Sequence, residues 1–134
     1  MHDRGWWCLA ALSGALTVMA GAFAAHALHG LLSERMLAAF ETGVRYQAWH
    51  TLAMLGVLAW RAARPIRGQY LVLGLWTAGM VLFSGSLYAM ALLGVRALGM
   101  VTPLGGVLMI AGWLALAVCA LRVKPETQSE SGRA

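Results

Sequence analysis

Between Arg67 and Arg96 the chain runs for 28 residues without a charged side chain, and from Ala97 to Leu121 it does so again for 25. About 20 apolar residues cross a hydrocarbon core roughly 30 Å thick, at about 1.5 Å of helical rise per residue. Each run therefore has the length of a membrane span. The rest of the chain agrees, because 60% hydrophobic and 11% charged residues are too apolar for a soluble domain of 134 residues. With so little chain left outside the bilayer, no separate soluble catalytic domain is expected, and any chemistry has to sit within the helices or at their rims. The net charge of +5 does not point to nucleic acid, since the arginines are scattered singly at span ends and form no basic stripe.

The reading is an all-α integral membrane protein, an antiparallel bundle of four transmembrane helices in a single domain over residues 1–122, with spans at about 6–28, 44–63, 69–93 and 103–121. The first span resembles a signal peptide, with Arg4 ahead of it and Ala25-His26-Ala27 as a small-x-small site. Its apolar part is longer than the usual signal-peptide core of about 7 to 15 residues, so it is expected to be retained. The second span has a short apolar stretch, 48–60, and needs an amphipathic lead-in. Ser33 suits an N-cap, Met36, Leu37, Phe40 and Val44 recur at helical spacing, and Glu34, Ala38, Glu41 and Arg45 share another face. That helix is expected to be continuous or kinked near Gly43 and to stop before Pro65. For the fourth span Thr102 suits the N-cap and Pro103 the first helical position.

Four spans put both termini on one side. Arg4, Arg61, Arg64, Arg67, Arg122, Lys124 and Arg133 then face Arg35, Arg45 and Arg96, seven positive charges against three, which makes the termini cytoplasmic. Trp6, Trp7, Trp60 and Tyr70 would form the inner aromatic belt, and Tyr46, Trp49 and Tyr88 lie nearer the outer one. The polar tail 123–134 is expected to be disordered. Cys8 and Cys119 fall at cytoplasmic helix ends and are expected to be reduced and unpaired. Helix contacts should use Ala10 with Gly14, Gly74 with Ala78, and the set Gly105, Gly106 and Gly112. An ungapped repeat at an offset of 64 sets GAFAAHALHG from Gly21 against GSLYAMALLG from Gly85 and Trp49 against Trp113, which would make the two hairpins parallel copies.

This topology gathers His26, His29, Glu41, Arg45, Tyr46, Gln47, His50, Ser84, Ser86, Tyr88 and Thr102 in the outer half of the bundle. Ionisable residues at membrane depth are costly and mark a candidate site. Glu41 and Arg45, at i and i+4, suit an ion pair that pins the lead-in to the bundle. His26 and His50 on neighbouring helices could approach an axial pair for haem, and with Glu41 they could form a proton relay, although no recognised ligand spacing is present. Neither a nucleophile beside a base nor a phosphate-cradling loop is visible, so no enzyme, metal or cofactor is expected.

The segments GAFAAHALHG, FETGVRYQAWH, LFSGSLYAMAL and VTPLGG, in this order and spacing, resemble the YgdD/YwdK-type small membrane proteins, the domain-of-unknown-function 423 family. The resemblance runs from about Gly14 to Ala120, with Ala24 where glycine is more typical, and it implies a four-span bacterial inner-membrane protein without an established activity. The role that follows is non-catalytic: a structural or accessory bundle that meets lipid, a second copy or another membrane protein through its outer polar cluster. The alternative is a small-ligand, metal, haem or proton-coupled solute site on His26, Glu41, Arg45 and His50.

Overall fold

The protein is described by a computed structural model that covers residues 3–123; the expected disorder of the tail falls almost wholly outside the described residues. Four long helices follow one another: α1 (Asp3–Phe23), extended by a π-helical turn (Ala24–Leu28), α2 (Glu34–Ala63), α3 (Gln69–Leu93) and, after a 3-10 turn (Arg96–Met100), α4 (Thr102–Leu121). Three helical stretches are long and apolar enough to cross a membrane: Asp3–Leu28, Gln69–Leu93 and Arg96–Leu121. α2 is not one of the three, and its polar residues Gln47 and His50 lie within the stretch that would have to cross.

Local signals account for most helix ends. Ser33 Oγ accepts the Met36 N–H at 3.3 Å and caps α2. The helix then runs unbroken through Gly43 to Ala63. Gly94, in the left-handed region at φ 71°, ends α3 by donating its N–H to the Met90 carbonyl. The expectation for Thr102 is corrected, because Val101 is the cap residue of α4 and the Thr102 hydroxyl lies 2.7 Å from Ser86 Oγ on α3. Thr102 already lies inside the helix, and its hydroxyl is turned back toward the Leu98 carbonyl at 3.5 Å and across to Ser86.

The helices pack in chain order, α1 on α2, α2 on α3 and α3 on α4. Along the first pair, Asp3 meets Arg61, Ser13 meets Thr51, Gly21 lies against Val44, and Phe23 against Phe40. The main core joins Ala10, Met54, Leu58, Leu73, Trp76 and Met109, and a second cluster joins Ala24, Leu28, Phe40 and Ala91. Met36, Leu37 and Val44 pack on the latter, which is the apolar face expected of the lead-in.

The contact between α3 and α4 is backbone against backbone. A Cβ on Gly105 would lie 2.4 Å from Phe83 N and 2.7 Å from Gly79 O. Gly74, expected at an interface with Ala78, has open space instead, and Ala78 is exposed; one turn along, Gly79 is the interface glycine. Gly106 is peripheral, with only the Phe83 ring at 3.8 Å. Small residues at four-residue spacing identify a helix able to pack closely, but not the rotation that selects which glycine faces its neighbour. The repeat is not kept in register either. Moved by 64, the Ser13–Thr51 contact would become Thr77 with Ala115, whereas Trp76 meets Gly112, about one helical turn away.

Candidate functional site

The polar residues expected to gather in the outer half divide into two groups. His26, His29, Glu41 and Arg45 are all exposed. Glu41 and Arg45 do not close the expected ion pair, since one helical turn of exposed surface lets each side chain remain solvated alone. The π-helical turn widens the end of α1, and His29 is already its extended C-cap residue, so the two histidines do not continue one α-helical face. Nor does His26 approach His50. With Ser13 level with Thr51 and Gly21 with Val44, His26 lies roughly 18 Å of helical rise from the level of His50.

The second group packs between the helices, and Gln47, His50, Ser84, Ser86, Tyr88 and Thr102 in it all make side-chain hydrogen bonds. His50 is buried on α2, and its Nδ1 lies 2.8 Å from the Tyr46 carbonyl oxygen. A carbonyl only accepts, so the ring proton sits on Nδ1, and the bare Nε2 accepts from Trp113 Nε1 of α4 at 3.1 Å. Both nitrogens of the neutral ring are engaged. The ring also lies edge-on to Trp76 at 5.9 Å, while Trp76 Nε1 donates to the Met109 carbonyl at 3.3 Å. Tyr46 packs inward, its ring centroid 4.7 Å from that of Phe83.

One turn along α2, Gln47 joins three helices. Its Nε2 donates to Ser13 O at 3.1 Å and reaches Ser13 Oγ at 3.4 Å on α1, and its Oε1 accepts from the Tyr88 hydroxyl of α3 at 2.8 Å. Ser13 Oγ is 2.6 Å from Thr51 Oγ1, which donates to Met80 Sδ at 3.8 Å. Tyr88 is therefore an interior residue and not part of an aromatic belt. Its ring fits over Gly43, where a Cβ would come within 2.8 Å, and packs at a tilt of 41° against Phe40, centroids 4.6 Å apart. Ser84 Oγ donates to the Gly43 carbonyl at 2.7 Å, and Ser86 pairs with Thr102. Among the described residues every buried side-chain nitrogen and oxygen has a partner, and no group of three or more His, Cys, Asp or Glu residues is placed to hold a metal.

Two features were not anticipated. At the opposite end, Asp3 Oδ1 accepts from Arg61 Nε at 2.9 Å and from the Tyr70 hydroxyl at 2.7 Å, with the Arg61 guanidinium 3.8 Å above the Tyr70 ring. Buried Gln69 accepts from Ile66 N at 2.8 Å and donates to the Arg64 carbonyl at 3.3 Å, closing the α2–α3 turn. A lone carboxylate ahead of the first apolar run and an arginine ending the second were the available signal. The second feature is a lateral groove of about 410 Å³ between α1 and α3, walled by Leu9, Leu12, Leu16 and Val81 over Gln47 and Tyr88. Because those floor groups are already bonded to each other, the groove offers a guest mainly apolar contact.

The family described as "Protein of unknown function (DUF423)" matches residues 20–106. The chain is similar to the UPF0382 inner membrane protein YgdD of Escherichia coli K12, 41% identical over 124 residues that cover 92% of this chain and 95% of the relative. It is 42% identical to a UPF0382 membrane protein of Haemophilus influenzae over 87% of this chain and 93% of the relative. A UPF0382 membrane protein of Staphylococcus haemolyticus is 40% identical over 85% and 93%. No solved structure matches.

Proposed function

We propose, from the premise that this chain belongs to the DUF423 family of proteins of unknown function, that it is a non-catalytic accessory bundle of the bacterial inner membrane. The observation that carries this reading is the closed set of hydrogen bonds in the interior. His50 has no free nitrogen for a metal or haem iron, and Ser84, the buried hydroxyl nearest to a nucleophile in character, donates to a carbonyl rather than to a base. The polar interior then acts as interhelical glue, and the faces left for partners are the rim and the lipid-exposed sides.

The same reading makes α2 a fourth span. It lies between α1 and α3, and its Gln47, His50 and Thr51 are covered by those neighbours and by α4. A helix screened in this way does not need the apolar composition that lipid demands of α1 and α4. The order of contacts along α1 and α2, and again of Gly79 with Met109 and Ser86 with Thr102 along α3 and α4, supports helices alternating in direction. The excess of positive charge at the end holding Arg61, Arg64, Arg67 and Arg122 supports cytoplasmic termini.

Alkaline phosphatase fused after Leu31 or Gly99 is expected to be active and after Arg64 inactive. Equal activity at Leu31 and Arg64 would remove α2 from the list of spans. For the non-catalytic reading, protein purified gently from native membranes is expected to show no Soret band and no stoichiometric metal. His50→Ala is then expected to lower stability by about 2 kcal/mol, from two lost hydrogen bonds and a small cavity, with no bound species lost. A chromophore or metal present in the wild type and missing from His50→Ala would restore the ligand-site alternative.

A further inference from the structure

A cavity of about 570 Å³ opens at the end of the bundle opposite the Asp3–Arg61 pair, between the start of α2 and the end of α3, and both Arg35 and Arg96 line it. Neither guanidinium has a carboxylate partner among the described residues, and both are exposed. The cavity wall next to them is apolar, formed by Met36, Ala39, Met90 and Ala91. Ser33 stands at its edge with its oxygen taken by the α2 cap, which leaves its hydroxyl proton available to donate.

We infer that this cavity binds the headgroup of an anionic phospholipid, with the phosphate between Arg35 and Arg96 and the glycerol and first acyl carbons against Met36, Ala39, Met90 and Ala91. Guanidinium forks match phosphate oxygens, and two of them that are not already held in an ion pair favour a net anion over a zwitterion. The positions of the charges strengthen the argument. The outer end carries only three arginines, Arg35, Arg45 and Arg96, where the topology rule disfavours positive charge, and two of the three converge on one cavity. A free phosphate would use the same guanidiniums but not the apolar wall. A lipid uses both, which is the reason to prefer it. The inference rests on the proposed orientation for this charge-placement argument and for which leaflet supplies the lipid; the cavity, the two guanidiniums and the apolar wall do not depend on it.

The test is native mass spectrometry of the full-length protein in detergent, titrated with phosphatidylglycerol, with phosphatidylcholine of the same acyl chains, and with inorganic phosphate. The expected result is tighter retention of one phosphatidylglycerol than of phosphatidylcholine. Arg35→Gln and Arg96→Gln should each weaken it about fivefold, as expected for one arginine near an anionic headgroup. Arg45→Gln and Arg67→Gln, exposed arginines outside the cavity, should leave it unchanged. Ala39→Phe, which keeps both guanidiniums and fills the cavity, should also lose the lipid. Equal retention of the two lipids, an equal loss in Arg45→Gln, competition by millimolar inorganic phosphate, or full binding by Ala39→Phe would each overturn the inference. None of these outcomes bears on the fusion pattern or the His50→Ala result, so the accessory-bundle reading stands or falls separately.

Discussion

Gly105→Ala should destabilise the bundle by about 3 kcal/mol, at the upper end of what overpacking a tight contact costs. The new methyl carbon would lie 2.4 Å from Phe83 N, 2.7 Å from Gly79 O and 2.8 Å from Phe83 Cα. All three are backbone atoms, so no side-chain rotation relieves the clash, and α3 and α4 have to separate. Separation also weakens the Ser86–Thr102 bond and the packing of Trp76 on Gly112. Gly106→Ala is the control. Its methyl group would meet only the Phe83 ring at 3.8 Å, an ordinary contact, and alanine is the better helix former by up to about 1 kcal/mol. Thermal unfolding in detergent should therefore separate two adjacent glycines, with a large loss for Gly105→Ala and none for Gly106→Ala. Similar losses for both would show that the interface between α3 and α4 is not set as described.

Trp76→Ala is expected to cost about 3–5 kcal/mol, the usual range for deleting a buried tryptophan. The side chain is fully buried where α2, α3 and α4 meet, 4.7 Å from the Trp113 ring, and its N–H donates to the Met109 carbonyl. Trp76 occupies the space left by the absent side chain of Gly112, where a Cβ would lie 2.4 Å from the indole. A double-mutant cycle follows from that fit. Gly112→Ala is expected to be strongly destabilising alone and much less so beside Trp76→Ala, because the clash disappears with the indole. Additive losses would mean that the two residues do not share one space. Loss of the indole also removes a wall of the His50 site, so the Trp113–His50 bond should loosen in the same variant.

The functional reading depends on bonds that spacing along the chain does not reveal. Gln47, His50, Ser84, Ser86, Tyr88 and Thr102 are recognisable in the sequence as polar groups that the bundle gathers, and each is engaged in a hydrogen bond. Their partners Ser13, Thr51 and Trp113 were not identified as such. A tryptophan or a threonine in a span is compatible with belt, lipid face or interior, and only its rotation about the helix axis distinguishes these. His26 and Glu41 share the chemistry of the interior group but stay at the rim, because the π-helical turn ends α1 and the lead-in turns its charged face outward.

Helix positions, the stop before Pro65 and the cap at Ser33 follow from criteria that act residue by residue along the chain: hydrocarbon thickness and capping. Which glycine of Gly105 and Gly106 meets α3, which tautomer His50 adopts, and whether Arg35 and Arg96 share a cavity depend on the rotation and register of helices far apart in sequence. In lipid, apolar side chains gain little by burial, so hydrophobic periodicity carries only a weak signal for that rotation. Close packing and hydrogen-bond partners choose it, and these exist only once the helices have come together.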